Sequence, residues 1–534
     1  MKRLFVTTSI GALGFFALLL VPLQGCTDLS ETPISSITPS NFFHTEGEVL
    51  AALAGVYAGL RNTPGEGEYW GVSEVSTDEM VVPTRGSDWY DNGTWLETHR
   101  QTWSANSPST LSFVNNAWNT AYAGIARANV LLEALAKSTL ADSIKTPIEG
   151  EARYLRAFYY YMLMDLFGGV PIATTTELKA RARATRDSTF RFIESELLAI
   201  RPNLPKQQGD TTLLGTKVGR VTKGAVNALL ANMYINARVY KNEAAGSGIN
   251  ATAYNSCAGI TVSGGTDACQ AAINVVDSII NSGVYLLAPA FTDNFSPDNA
   301  TSPENIFVVK YADADGLGFN MVMRTLHYNQ FSPSPWNGFA TLAQTYNAFD
   351  PLDLRRKMFL VGPQVNVETG KPTTDRQGNA LNFTVDIGNV TAATENEGAR
   401  IYKWPADPKH VQQNNGNDFA WFRLAEMYLI KAEAELAGGT GSSTPLALLR
   451  LVRARAFPGG DTLSAFTADV VLRERLFELN SEGKRRQDLI RYGKYTACWQ
   501  FKEGYCPAAD KIVLMPIPQT QIDANSLITQ NPGY

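Results

Sequence analysis

The sequence predicts a mainly α-helical fold. The scaffold should be made of tetratricopeptide-like helical hairpins, overlaid by long irregular, aromatic-rich loops and a few short strands. Three observations predict this. Segments with apolar residues at helical spacing recur along the chain, and several are of hairpin length. One of them, Thr146 to Pro171, is apolar over more than one face and must be wedged between other helices. Two long stretches, 65–108 and 285–416, lose the helical period while concentrating Trp, Tyr and Phe among Gly, Pro, Asn and Asp.

The chain opens on an address. Lys2 and Arg3 precede an apolar run, Leu4 to Leu20, and Leu23-Gln24-Gly25-Cys26 follows. A basic region, an apolar region and small residues before a cleavage point mark a secretory signal peptide over 1–25. Cys directly after Leu-Gln-Gly resembles the bacterial lipobox, which implies cleavage before Cys26 and acyl chains on it. A transmembrane anchor is the weaker alternative, because Pro22 and the small residues end the run where a cleavage site belongs. Residues 26–45, rich in Ser, Thr and Pro, read as a tether that follows the lipidated cysteine.

The remainder divides into a helical region, 46–284, and a more irregular region, 285–534; a chain of 534 residues can build a large core and two lobes. Glu46–Asn62 is the first helix, ended by Thr63-Pro64-Gly65. Tyr69, Trp70, Trp89, Tyr90, Trp95 and Trp103 then fall in the first irregular stretch, and long ordered loops are commonly functional. Helical spacing returns from Ser112 to Lys137. In the next helix Thr146 caps, Pro147 suits the first turn, and Gly168-Gly169 with Pro171 terminate. Further helices are expected at Asp187–Ile200, Lys223–Val239 and Ala268–Asn281. In the second irregular stretch Ile306–Val309 and Ile401–Trp404 suit strands, and Tyr311, His327, Tyr328, Phe331, Trp336 and Phe339 form a second aromatic group. Helices resume at Ala420–Ala437, Pro445–Ala456 and Val470–Leu479.

Net charge is −5 and no basic tract is present, which argues against nucleic acid as a partner. Besides Cys26 the cysteines are Cys257, Cys269, Cys498 and Cys506. An even number in an exported chain, clustered in two pairs, favours the disulfides Cys257–Cys269 and Cys498–Cys506. Zinc is the alternative, but short ligand spacing is missing and only four histidines are present. Those histidines are far apart, and HExxH, GxSxG and GxxxxGK[ST] patterns are absent, so no enzyme is predicted. Asp88 and Asp91 are the nearest thing to a glycosidase pair, but carboxylates are common in loops. Asp313-Ala314-Asp315-Gly316 resembles half of a calcium loop without the later Glu; an ion there would be structural, and no catalytic metal or cofactor is expected.

The segment Leu472 to Gly493 carries Glu474-Arg475, Glu478-Leu479, Glu482-Gly483, Arg485, Asp488-Leu489, Arg491 and Gly493. This spacing resembles the C-terminal motif of the SusD/RagB family of outer-membrane nutrient-binding lipoproteins. Arg486-Gln487 stand where that family often has an aromatic pair. Similar passages are Arg153–Tyr160 with Phe167–Pro171, Arg423–Glu426 with Ala432–Ala434, and the closing Leu514–Pro518 and Gln530–Tyr534. From the residues alone, alternating Arg and Glu in the C-terminal motif read as scaffold, pairing along a helix and across to neighbours, with Gly483 permitting a turn.

The resemblance implies a non-catalytic lipoprotein held on the outer membrane at the cell surface. Such a protein binds a glycan, or in some lineages a peptide, and passes it to a SusC-like TonB-dependent transporter. Trp and Tyr rings stack on sugar CH faces while polar side chains bond the hydroxyls. By the family's pattern the ligand loops are 76–95 and 311–339. The expected stacking rings are Trp89, Tyr90 and Trp95, with Tyr328 and Trp336 behind them, and the expected polar partners are Asp78, Arg85, Asp88 and Asn92. Trp103 and Trp118 read as core, and Thr77-Asp78-Glu79 has a rival reading as a pin between loop and scaffold. A lipid-anchored helical-repeat adaptor for another protein is the alternative function.

Overall fold

The computed structural model describes residues 43–206, 219–241, 252–506 and 509–534. The expected signal peptide, the expected lipid on Cys26 and most of the expected tether lie outside the described residues. The first helix, α1 (Glu46–Ala58), starts on a capping box in which Thr45 and Glu48 satisfy each other's backbone donors, and it tightens into a 3-10 turn at Gly59–Asn62. Two short helices, α2 (Tyr69–Val75) and α3 (Thr94–Arg100), interrupt the first aromatic stretch, with strand β1 (Met80–Val81) between them. Neither helix was expected, since seven residues are too few for a 3.6-residue period to show.

α4 (Asn115–Lys137) and α5 (Asp142–Phe167) follow. α5 begins before the expected Thr146-Pro147 start. Asp142 occupies its first turn, and Pro147 is accommodated inside the helix. From Ile148 onward nearly every side chain of α5 is buried, because α1, α4 and α6 (Arg186–Ile200) pack against it while strand rings cover the remaining side. Phe158 meets Phe307 at 5.5 Å and Trp421 at 5.9 Å between ring centroids. Close approach needs a glycine on α4: a Cβ on Gly124 would lie 2.2 Å from the Tyr159 ring. Gly168 ends the helix at φ 75°, ψ −127°, a conformation that favours glycine.

α7 (Lys223–Ile235), α8 (Ala237–Tyr240) and α9 (Ala268–Ile280) come next, and α7 packs on α9. The irregular region contains β2 (Asn305–Val309), α10 (Met321–Thr325), β3 (Ala340–Thr341), α11 (Ala343–Ala348), β4 (Phe359–Leu360), β5 (Gly362–Pro363), β6 (Asn382–Phe383) and β7 (Arg400–Ile401). β8 (Phe419–Arg423) was read as the start of a helix. Its run of Phe, Ala, Trp and Phe pairs instead with β2, and α12 begins at Leu424. α12 (Leu424–Leu436), α13 (Pro445–Arg453) and α14 (Ala468–Leu479) pack together over a core of Leu429, Leu449, Val452 and Val471. α15 (Arg485–Arg491) and α16 (Gln519–Ala524) complete the chain.

Phe43–Tyr534 form one compact unit. The two regions interleave within it: β1 pairs with β3, and α2 packs on α15. Both cysteine pairs are joined, Cys257 to Cys269 and Cys498 to Cys506. Trp103 and Trp118 are in the core. Asp313 and Asp315 are exposed, and among the described residues no group of three His, Cys, Asp or Glu is placed to hold a metal ion.

Candidate ligand-binding site

One strand pairing joins the two aromatic stretches. β1 and β3 are antiparallel, with Met80 opposite Thr341 and Val81 opposite Ala340. The segment leaving β1 therefore lies beside the segment entering β3, and residues 85–95 meet 327–339. Two buried arginines fix this junction. Arg85 donates through Nε to the Asn337 carbonyl at 2.9 Å and through its other nitrogens to the carbonyls of Thr394 and Glu397. Arg400, on β7 beside β3, donates to Asn337 Oδ1 at 2.9 Å. Burial against uncharged carbonyls pushes Arg85 down to about 10.

Trp89 is half-buried at the centre of the patch. Its indole N–H donates to the Trp336 carbonyl at 2.6 Å, and its ring meets those of Trp95 and Phe339 at 5.4 Å each and that of Trp336 at 6.4 Å. Backbone at Gly338 makes room, since a Cβ there would lie 2.4 Å from the Trp89 ring. Trp89, Asp91 and Asn92 all have positive φ, so the loop is coiled tightly at a cost of order 1 kcal/mol per residue. Tyr90 next to Trp89 is 58% exposed.

Tyr328 and Trp336 are half-buried on the facing segment. The Tyr328 hydroxyl donates to Asp88, and burial together with that bond raises Tyr328 to about 12. Arg376, which the sequence reading did not single out, lies over the Tyr328 ring with its guanidinium carbon 4.0 Å from the centroid. Its Nε donates to Glu395, and its Nη1 lies 3.8 Å from Asp88. Glu395 also lies 2.9 Å from His327 Nε2. Burial would raise Glu395, but the Arg376 backbone N–H, His327 and the Arg376 side chain outweigh it and hold the carboxyl at about 2. Burial lowers His327 despite Glu395.

The structure therefore gathers Trp89, Tyr90, Tyr328 and Trp336 with Asp88 and Asn92, and adds Arg376. Three expected residues are corrected. Trp95 is 3% exposed, with its indole N–H on Asp91 and its ring among Trp89, Phe113 and Phe339, so it has no free face to stack on. Arg85, 2% exposed, spends its donors on backbone carbonyls. Asp78 is held bidentately by Arg485 at 2.7 and 2.6 Å, the pin that was the rival reading. Arg376 was hidden because it follows the last aromatic cluster and carries no apolar signal.

A rigid helical scaffold presenting half-exposed rings, with the charges beside them paired, defines a binding protein. The profile described as "SusD family" matches residues 273–534, and that described as "Starch-binding associating with outer membrane" matches 43–235. The chain belongs to the SusD family, whose members are binding proteins and not enzymes. It is similar to the SusD-like protein P2 of Formosa agariphila, 22% identical over 97% of this chain and 99% of that one. It is also similar to the starch-binding protein SusD of Bacteroides thetaiotaomicron, 24% identical over 97% of this chain and 98% of that one. Among solved structures, surface glycan-binding protein A from Bacteroides thetaiotaomicron superposes with a TM-score of 0.70, at 22% identity, covering 92% of this chain and 100% of that one. The same protein in complex with laminarihexaose gives a TM-score of 0.68 at 22% identity, covering 91% and 99%.

Proposed function

We propose that this protein is an outer-membrane lipoprotein, anchored through Cys26, that binds an oligo- or polysaccharide at the cell surface and delivers it to a SusC-like TonB-dependent transporter. The ligand lies on Trp89, Tyr90, Tyr328 and Trp336, with Asp88, Asn92 and Arg376 bonding its hydroxyls. The observation that carries this reading is the β1–β3 pairing, which sets rings from two distant segments side by side. Relatives named for starch binding and for a laminarihexaose complex support the ligand class. The charges in the patch, Arg376 with Glu395 and Asp88, are paired with one another, which favours an uncharged glycan. The Trp89 and Trp336 rings are tilted 49° apart, so a curved chain can follow both where a flat ribbon cannot.

Soluble protein beginning at Thr27, run in native gels cast with laminarin, starch and other polysaccharides, tests this. Retardation by one polymer, lost in Trp336→Ala with melting temperature preserved, is the expected result. Retardation retained in Trp336→Ala and in Tyr90→Ala would move the site elsewhere. Indifference to every polymer would leave the peptide-binding or adaptor reading.

A further inference from the structure

A recess of about 490 Å³ lies at the start of α7 and the end of α9, and it shares no residue with the aromatic patch. Among the described residues Arg201, Lys206 and Lys223 line it and no carboxylate does, in a chain whose net charge is −5. Among the described residues, the Lys206 and Lys223 ammonium groups have neither an ion pair nor a hydrogen bond. Asn227, also in the wall, is 7% exposed. Its carbonyl oxygen accepts from Arg201 at 3.3 Å, while its amide nitrogen has no partner among the described residues. That nitrogen keeps contact with solvent, so a group bound in the recess can accept from it.

The backbone adds to this. α7 has 13 residues, and its first turn is already capped, the Lys223 N–H donating to the Pro205 carbonyl at 2.8 Å and the Ala225 N–H to Thr222 Oγ1 at 3.2 Å, so what its N-terminus adds is the helix dipole, which favours negative charge. Gly224 in that turn lies against Tyr285, where a Cβ would be 2.4 Å from the phenolic oxygen. The facing wall holds Ser278 and Ser282, whose hydroxyls donate to the Asn274 and Ile279 carbonyls at 2.9 and 2.6 Å and so can only accept from a ligand. The space exceeds what a bare oxyanion needs, and acceptor oxygens on the far wall suit the hydroxyl groups of a sugar ring.

We propose that this recess binds an anionic sugar unit, a hexose-sized ring carrying a carboxylate or sulfate, with Lys223, Lys206 and Arg201 around the oxyanion and Asn227 donating to it. The site is separate from the aromatic patch and does not depend on a ligand there.

Calorimetric titration of the mature chain with glucuronate, a sulfated glucose, inorganic sulfate and glucose tests the assignment, beside vesicles containing phosphatidylglycerol. Glucuronate and the sulfated sugar should bind, and glucose should not. Arg201→Gln/Lys223→Gln should weaken binding by roughly tenfold or more, and added salt should weaken it further. Trp336→Ala should leave it unchanged. Lys206→Gln alters only an exposed side chain, so a partial loss there with an unchanged melting temperature excludes misfolding as the cause. Equal binding of glucose, inorganic sulfate matching the sugar acids, vesicle binding alone, or indifference to all three charge substitutions would each overturn the proposal.

Discussion

Trp89 and Trp95 are six residues apart and serve different ends. Trp95 lies on α3, sealed by Trp89, Phe113 and Phe339, and holds the floor of the patch; Trp89 sits on left-handed backbone above it. Replacing Trp95 by Ala should cost about 3–5 kcal/mol in urea unfolding, whereas Trp336→Ala should lower glycan affinity with a smaller stability loss. Gly338→Ala separates ring position from ring identity. Its Cβ cannot coexist with the present Trp89 ring, so the ring must move and affinity should fall although every aromatic side chain remains. Retained affinity in that variant would show that Trp89 is not part of the platform. The sequence revealed that the loop was special, but not which tryptophan faced inward. That choice depends on Phe339, some 240 residues away, and no local spacing records it.

At the scale of elements, the charged C-terminal motif is a buried hub. Arg423 binds Glu304, Glu478 and Glu482, Arg355 binds Asp353, Glu474 and Glu478, and Arg491 binds Glu433 and Asp488. Pairing was legible in the alternating Arg and Glu; the partners, mostly on β8, α12 and loops, were not, because tertiary contacts such as the pairing of β2 with β8 bring them near. Arg486 and Gln487, the departure from the family pattern, also serve packing: Arg486 pairs with Asp165 and Gln487 bonds Tyr161 and Tyr69. Beside the hub, Glu74 and Glu79 are a buried carboxyl pair that reaches the turn at Ser481 and Gly483. Burial raises both, Glu74 to about 7 and Glu79 well above its ordinary value, with Lys403 and Glu482 facing Glu74 and Arg485 facing Glu79. The folded pair thus keeps protons that the unfolded chain releases near 4.5. Its stabilising contribution is fully present below that value and is lost as pH rises through the raised values, about 7 for Glu74. Glu79→Gln supplies a permanent donor to Glu74 and removes the need for the proton. Urea midpoints measured across this range should fall with pH in the parent and change less in the variant. Parallel curves would mean that the pair holds no extra proton.

For the whole molecule, the long helices were readable because periodicity over a dozen or more residues needs no distant partner; the interleaving of the two regions was not, because β1–β3 and α2–α15 join segments far apart in the chain into one unit. The disulfides follow the same division between local and distant. Each closes a short loop, with separations of 12 and 8 residues, and chain entropy assigns about 2–3 kcal/mol to either. Their reach differs. The 498–506 loop touches the support of the patch: Gln500 O lies 2.9 Å from His99 Nε2, the Phe501 carbonyl accepts from Arg100, and Lys502 donates to Gln101 at 2.8 Å. His99 and Arg100 belong to α3, the helix of Trp95. The Cys257–Cys269 loop instead anchors the start of α9, away from those rings. Cys498→Ser/Cys506→Ser should therefore lower both melting temperature and glycan affinity, while Cys257→Ser/Cys269→Ser should lower melting temperature alone. Equal affinity in the two double variants, measured below both melting transitions, would show that α3 is held by its own packing and that the loop contributes only to global stability.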